Sequence, residues 1–123
     1  MNLKIDRLGP DHFDSRRTIR AIINGEMDLA QVKLLEIYAN NTLGNHYHHY
    51  WECFYMLSGY AKYTFKDIET GEVQHLEMHP RMRVIIGPKI AHKAEFLENS
   101  TMLECTEKLY VSAEENDVVY KEW

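Results

Sequence analysis

Short runs of alternating apolar and polar residues, broken by turn-forming pairs, recur along this chain and leave little room for long helices. Asn24-Gly25, Ser58-Gly59, Asp67 to Gly71, Gly87-Pro88 and Asn99-Ser100 mark corners, because glycine and asparagine accept positive φ and proline fixes its own. The clearest run between corners is Tyr60 to Lys66, which places Ala61, Tyr63 and Phe65 on one face. Leu3 to Asp6 reads as a first strand, stopped by Gly9-Pro10. Arg16 to Ile23 is expected to be a strand, since β-branched residues crowd it and period two fits. Only Glu26 to Gln31 leaves helix as an alternative.

Gln31 to Ala39 suits either period, and its Tyr38-Ala-Asn-Asn-Thr42 exit decides for strand. Thr42 to His48, Glu52 to Leu57, Gly71 to Met78, Met82 to Ile86, His92 to Phe96 and Thr101 to Lys108 extend the series. Val118, Val119, Tyr120 and Trp123 predict that Ser112 to Trp123 docks as an edge strand or cover. About eight to ten short strands, with turns roughly every 8–12 residues, define an all-β sandwich or barrel.

A chain of 123 residues with 45% hydrophobic content can bury a core within a single domain. Its net charge of −5 argues against nucleic acid and anionic membranes as partners, both of which want a positive surface. No apolar run approaches the ~20 residues of a membrane helix. Cys53 and Cys105 lack the CxxC spacing and read as buried small hydrophobes. Together with the absence of a secretory h-region, they place the protein in a reducing cytoplasm.

The chemistry concentrates in Gly44-Asn-His46-Tyr-His48-His49-Tyr-Trp-Glu52, with Gly59 seven residues beyond the glutamate and a distant His92 in Gly87-Pro88-Lys-Ile-Ala-His92. Residues two apart on a strand share a face at roughly 6.5–7 Å. His46 and His48 therefore converge, while Tyr47 and His49 turn the other way. Glu52 has their parity but lies beyond a bend at His49 to Trp51, so the following strand delivers its carboxylate. His92 completes the set if its strand neighbours this pair. Three imidazoles and a carboxylate suit zinc, iron, nickel, copper or manganese, with positions left open. His75, Glu77 and His79 form a second polar group, expected on a solvated outer face.

His46-x-His48-x-x-x-Glu52, followed after six intervening residues by Gly59, resembles the first signature of the cupin superfamily. Gly87-Pro88-Lys-Ile-Ala-His92 resembles the second, with Lys89 in place of a glycine and Phe96 in place of an asparagine. The resemblance implies an all-β double-stranded β-helix, or jelly-roll barrel. It implies one cupin domain over 1–123: N-terminal strands and loop to 30, barrel core 31–111, docked tail 112–123. It also implies that His46, His48, Glu52 and His92 face the interior and bind a divalent metal ion, with zinc, iron, nickel and manganese not distinguished. The Gly44 to Gly59 stretch is similar to small cupins of polysaccharide and nucleotide-sugar biosynthesis, including sugar isomerases and epimerases. Asp14-Ser-Arg16-Arg17 is similar to a motif preceding the barrel in some of them. A homodimer is expected from the same resemblance.

Phe54, Met56 and Tyr63 are candidates for the walls of a substrate pocket, and Arg16 and Arg20 for a clamp on a nucleotide diphosphate. Glu104 has inward parity and is the candidate acid-base group. The first functional reading is metal-assisted proton transfer by an isomerase or epimerase on a nucleotide-linked keto-sugar. The alternatives are a non-catalytic metal-dependent small-molecule or sugar-binding module, and a metal-dependent dioxygenase, since one scaffold carries unrelated functions.

Overall fold

The computed structural model describes residues 1–123. Its strands are β1 (Leu3–Arg7), β2 (His12–Phe13), β3 (Thr18–Ile19), β4 (Gln31–Ile37), β5 (Asn41–Tyr47), β6 (Glu52–Ser58), β7 (Ala61–Asp67), β8 (Val73–Met78), β9 (Met82–Ile86), β10 (Ile90–Phe96), β11 (Ser100–Thr106) and β12 (Val118–Val119). A one-turn helix, α1 (Ala113–Asn116), precedes β12. Two five-stranded sheets face each other, ordered β1-β9-β6-β11-β4 and β12-β5-β10-β7-β8. Every pairing is antiparallel, and the result is the jelly-roll barrel expected from the alternation. No helix is long and apolar enough to cross a membrane.

The core lies between the sheets. Ala61, Tyr63 and Phe65 of β7 meet Phe54 and Met56 of β6, Val84 and Ile86 of β9, and Phe96 and Met102 from β10 and β11. Phe65, Phe96, Met56 and Met102 are among the largest fully buried side chains, each stabilising the fold by roughly 1.5–3 kcal/mol. The outward residues of β6 and β9 are covered as well. Cys53, Ile85 and Cys105 form a second, smaller cluster capped by Ile23, Met27 and Trp51. That second covering explains why Glu52 to Leu57 reads as a nearly continuous apolar run rather than an alternating one.

The cover itself departs from the sequence expectation. Arg16 to Ile23 is not one strand, because only Thr18–Ile19 pairs, with His12–Phe13. The remainder follows local side-chain bonds that compete with a sheet ladder. Asp11 accepts from the Ala21 amide at 2.6 Å, the Arg20 Nε donates to the Leu8 carbonyl at 3.2 Å, and Glu26 accepts from the Asn24 amide. Arg83 ties the segment down from beneath. It is only 3% exposed and donates to the Ile22 carbonyl and to Glu26 at 2.8 and 2.9 Å, and also to Asp6. The C-terminal stretch does dock as an edge strand, with Val118 opposite Tyr47 and Val119 opposite His46. Its helical turn was not anticipated, although Ser112 and Glu115 stand at capping-box spacing. The Ser112 hydroxyl accepts from the Glu115 amide at 3.2 Å.

The bond from the Asn24 amide is the largest influence on Glu26; burial opposes it, Arg83 reinforces it, and the pKa settles at about 2 rather than 4.5. A carboxylate whose folded pKa is depressed contributes stability above its unfolded value and loses it as pH falls through the folded one. Glu26→Gln is therefore expected to lower unfolding free energy at pH 7 by about 1 kcal/mol. In denaturant titrations the deficit relative to the unsubstituted protein should shrink below about pH 4.5 and vanish near pH 2.

Candidate metal centre and cavity

Strand pairing assembles the four candidate donors. His92 sits directly opposite His46 across the β10–β5 ladder, His48 follows the end of β5, and Glu52 is the first residue of β6. The register of β5 shifts beside His92, where Lys93 pairs with Gly44 instead of Asn45. Gly44 and Asn45 have φ of 100° and 60°, the conformation of a bulge that re-aims the following side chain. A Cβ on Gly44 would lie 2.5 Å from the His92 carbonyl oxygen and 2.9 Å from the Lys93 Cα. Only glycine fits that crossing. Gly59 serves the same need at the far end of β6, with φ of 104° and its Cα pressed against Ser100.

The donor atoms of His46, His48 and His92 all lie within 4.8 Å of one another. Glu52 is 1% exposed, and its Oε1 stands 2.9 Å from His92 Nε2 and 3.4 Å from His48 Nε2. Neither Glu52 Oε1 nor His92 Nε2 makes an aligned hydrogen bond despite this proximity. Two ligands each about 2.1 Å from one cation stand about 3.0–3.4 Å apart at right to tetrahedral angles. The spacing and the two unsatisfied atoms thus fit a shared divalent ion. The donor set of imidazoles and carboxylate suits zinc, iron, nickel or manganese.

The outer nitrogens are held as well. His92 Nδ1 faces the Ile90 carbonyl at 3.1 Å and His48 Nδ1 the Asn116 carbonyl at 2.9 Å. Asp117 Oδ1 lies 3.3 Å from His48 Nδ1, and Asp117 Oδ2 lies 3.5 Å from His46 Nδ1. A carboxylate behind an imidazole fixes its tautomer and raises its basicity toward a cation. Asn116 is locked in turn, its side chain accepting from the Val111 amide and donating to the Leu109 carbonyl and the Tyr50 hydroxyl. Asn116 and Asp117 were missed by the sequence reading. Only the capping box just before them marks the turn that carries them.

Without an ion, the charges interact strongly. Burial disfavours the charged form of His48, but the hydrogen bond and charge of Glu52, the Asn116 carbonyl and Asp117 outweigh it and lift the pKa to about 9. Burial, then the charges of His92 and His48, push His46 down to about 4. Burial would raise Glu52, yet His92 and His48 hold it far below the usual carboxylate range.

A cavity of about 240 Å³ opens beside the centre. His46, His92 and Glu104 stand at its polar end, and Leu35, Ile37, Leu43, Phe54, Tyr63, Ala94, Phe96 and Met102 form its walls. Phe54, Tyr63 and Glu104 thus line it. Met56 does not; it is fully buried deeper in the core. Arg16 and Arg20 do not line it either. Arg16 pairs with Asp14 on the exposed N-terminal hairpin, and Arg20 is spent on the Leu8 carbonyl. Glu104 is lifted to about 7, chiefly by burial and then by the charge of Glu52, against the pull of Lys33. Lys33 Nζ lies 3.7 Å from Glu104 Oε1 and 4.4 Å from the centre of the Tyr110 ring. His75, Glu77 and His79 are exposed on the outside of β8 and beyond it, as expected of a solvated face.

No protein-family model matches the chain, and neither does any curated protein sequence. Solved structures do match its fold. A mutant form of the 3,4-ketoisomerase QdtA from Thermoanaerobacterium thermosaccharolyticum, in complex with TDP-4-keto-6-deoxyglucose, aligns with a TM-score of 0.77 at 18% identity, over 95% of this chain and 86% of that one. The WlaRB TDP-quinovose 3,4-ketoisomerase from Campylobacter jejuni aligns at 0.78 and 20%, over 91% and 89%. The rmlC epimerase of Mycobacterium tuberculosis aligns at 0.79 and 17%, over 95% and 68%. The fold is that of the cupins, as the two sequence signatures implied.

Two positions where the chain departs from those signatures have physical readings. Lys89 has φ of 61°, which costs a residue with a Cβ about 1 kcal/mol or more. Its amide donates to the His48 carbonyl at 2.8 Å, so the strain anchors the loop beside the centre. Phe96 is 1% exposed and packs in the cavity wall. Lys89→Gly is expected to raise the thermal midpoint by a few degrees, corresponding to about 1 kcal/mol. Gly44→Ala should lower it and displace the His46 ring together, because the bulge aims His46. Calorimetry and the histidine ring signals in NMR read the two effects.

Proposed function

We propose that this chain is a divalent-metal-binding cupin that isomerises or epimerises a keto-sugar carried on a nucleotide. The observation that carries the metal is the Glu52 Oε1–His92 Nε2 pair at 2.9 Å, buried, unbonded and spaced as two ligands of one cation. Support for the reaction class comes from the structural neighbours, which include two 3,4-ketoisomerases and an epimerase, and from the acid-base groups gathered at one end of the cavity. His46, His48, Glu52 and His92 would hold the ion, with Asp117 steadying two of the imidazoles. The chemistry such an ion would supply when bound is Lewis-acid polarisation of a carbonyl, which would acidify the neighbouring carbon.

The chain's own residues supply the remainder. Glu104 faces the cavity beside His46 and His92, where its carboxylate takes a proton from one carbon and returns it to another. Lys33, opposite it on β4, holds that carboxylate in place. Phe54, Tyr63 and Phe96 exclude water. At about 240 Å³ the cavity is smaller than the roughly 300–1,000 Å³ that takes a drug-sized ligand. Only the sugar ring enters, and it presents its least hydroxylated side to the aliphatic walls, because an unpaired hydroxyl there is costly. The nucleotide stays outside.

Protein purified without added metal or a histidine tag should contain one divalent ion per chain by elemental analysis, and His48→Ala and Glu52→Gln should contain little. With TDP-4-keto-6-deoxyglucose as the probe, chelation should abolish turnover followed by NMR while the circular dichroism spectrum is retained. Metal-independent turnover would overturn the reading; saturable, metal-dependent binding with no product would make the chain a sugar-binding module instead. Glu104→Gln should keep its metal and lose about 10²-fold or more in turnover.

A further inference from the structure

Cys53 and Cys105 lie on the far side of the β6–β11 ladder from the metal centre, and the proposed reaction uses neither. They are direct cross-strand partners, separated in sequence yet opposed in space, both free and both buried. Antiparallel partners have Cα atoms about 4.5–5.5 Å apart, inside the range of about 4.4–6.8 Å that a disulfide spans. Backbone movement is therefore not required to join them. The geometry points to a reversible cross-strand disulfide between Cys53 and Cys105, formed in the folded protein by exchange with a low-molecular-weight disulfide and cleaved again by small thiols.

The surroundings fit this chemistry. Cys105 is the less deeply buried of the two, at 3% against 0% exposed, so its sulfur is the one a small disulfide reaches first. Their lid is Ile23, Met27 and Trp51. Ile23 and Met27 lie within residues 20–30, which belong to no strand of either barrel sheet. These residues are held by the Arg83 and Glu26 contacts and one backbone bond from the Ala30 amide, so this part of the cover opens locally at lower cost than the barrel unfolds. That opening admits the oxidant.

The exchange balances as follows. Cys105 Sγ attacks one sulfur of the small disulfide, forms a mixed disulfide and expels one thiolate. Cys53 Sγ then attacks Cys105 Sγ, closing the protein disulfide and expelling the second thiolate. The two protein thiol protons pass to the two released thiolates. The small disulfide gains two electrons and the cysteine pair loses them. The new bond would lock β6 to β11 at the level of Glu52 and Glu104, whose registers flank the pair.

The test uses the reduced, full-length, folded protein and excess oxidised glutathione. After rapid alkylation and digestion, mass spectrometry should find a peptide linking Cys53 to Cys105 within one chain, an intact mass lower by two hydrogens, and full reversal by dithiothreitol. Cys105→Ser should form no bridge and at most a glutathione adduct. The inference fails if both thiols are recovered alkylated after native treatment. It also fails if each carries a stable adduct without bridging, or if the linkage appears only in denaturant. None of these outcomes depends on whether the chain is an isomerase.

Discussion

A carboxylate that is 1% exposed inside a barrel of Phe, Met and Ile side chains is the constraint around which the rest is arranged. An ionised Glu52 in that setting costs several kcal/mol unless positive charge meets it, and the three imidazoles supply the only cationic groups within reach of its unsatisfied oxygen. They do so as one imidazolium that Glu52 itself favours, or as neutral ligands around a cation. Either way the strands that carry His46, His92 and Glu52 have to meet in register. A slip by one residue in β5 or β10 would turn an imidazole out of the barrel and leave the carboxylate unpaired. Electrostatics thus reinforces the register that the apolar alternation specifies.

The centre is held from both sides. Glu52 Oε1 stands beside the inner nitrogens of His48 and His92, while Asp117, the Asn116 carbonyl and the Ile90 carbonyl face the outer ones. Two of these outer partners, Asn116 and Asp117, come from the stretch that follows the barrel. Residues 112–119 therefore do more than seal an edge, since they fix two imidazole rings that would otherwise rotate. The cavity beside them is apolar over most of its wall, so its polar end decides how a molecule is oriented and its walls decide which parts are tolerated.

Much of this was legible in the sequence because it depends on short-range periodicity. The parity of Ala61, Tyr63 and Phe65, the His46/His48 pair and the delivery of Glu52 by the next strand all follow from period two and a bend, and Gly59 from the need for close approach at a turn. The second histidine signature could be placed only through its resemblance to the cupins, because nothing local says which strand lies beside β5. What could not be read depends on tertiary partners. Arg16 to Ile23 has strand composition, yet Asp11, Leu8 and Arg83 claim its polar groups. Met56 has the parity of Glu52 but sits one layer deeper than the cavity. Asp117 reaches His46 from a turn whose only local mark is Ser112 and Glu115, and the positive φ of Lys89 is visible only in the backbone.

The Lys33–Glu104 contact also bears on how the molecule behaves among its own copies. β4 is an outermost strand of its sheet, and Val32 and Leu34 are exposed on its outer side, a combination that invites another chain to extend the sheet. Lys33, between them, points the opposite way, toward Glu104. A foreign strand laid along β4 would trap that ammonium beneath a second backbone and strip it of water. The Lys33–Glu104 pair thus sets an inward-pointing charge along the barrel's open border, a feature that disfavours pairing with a foreign strand.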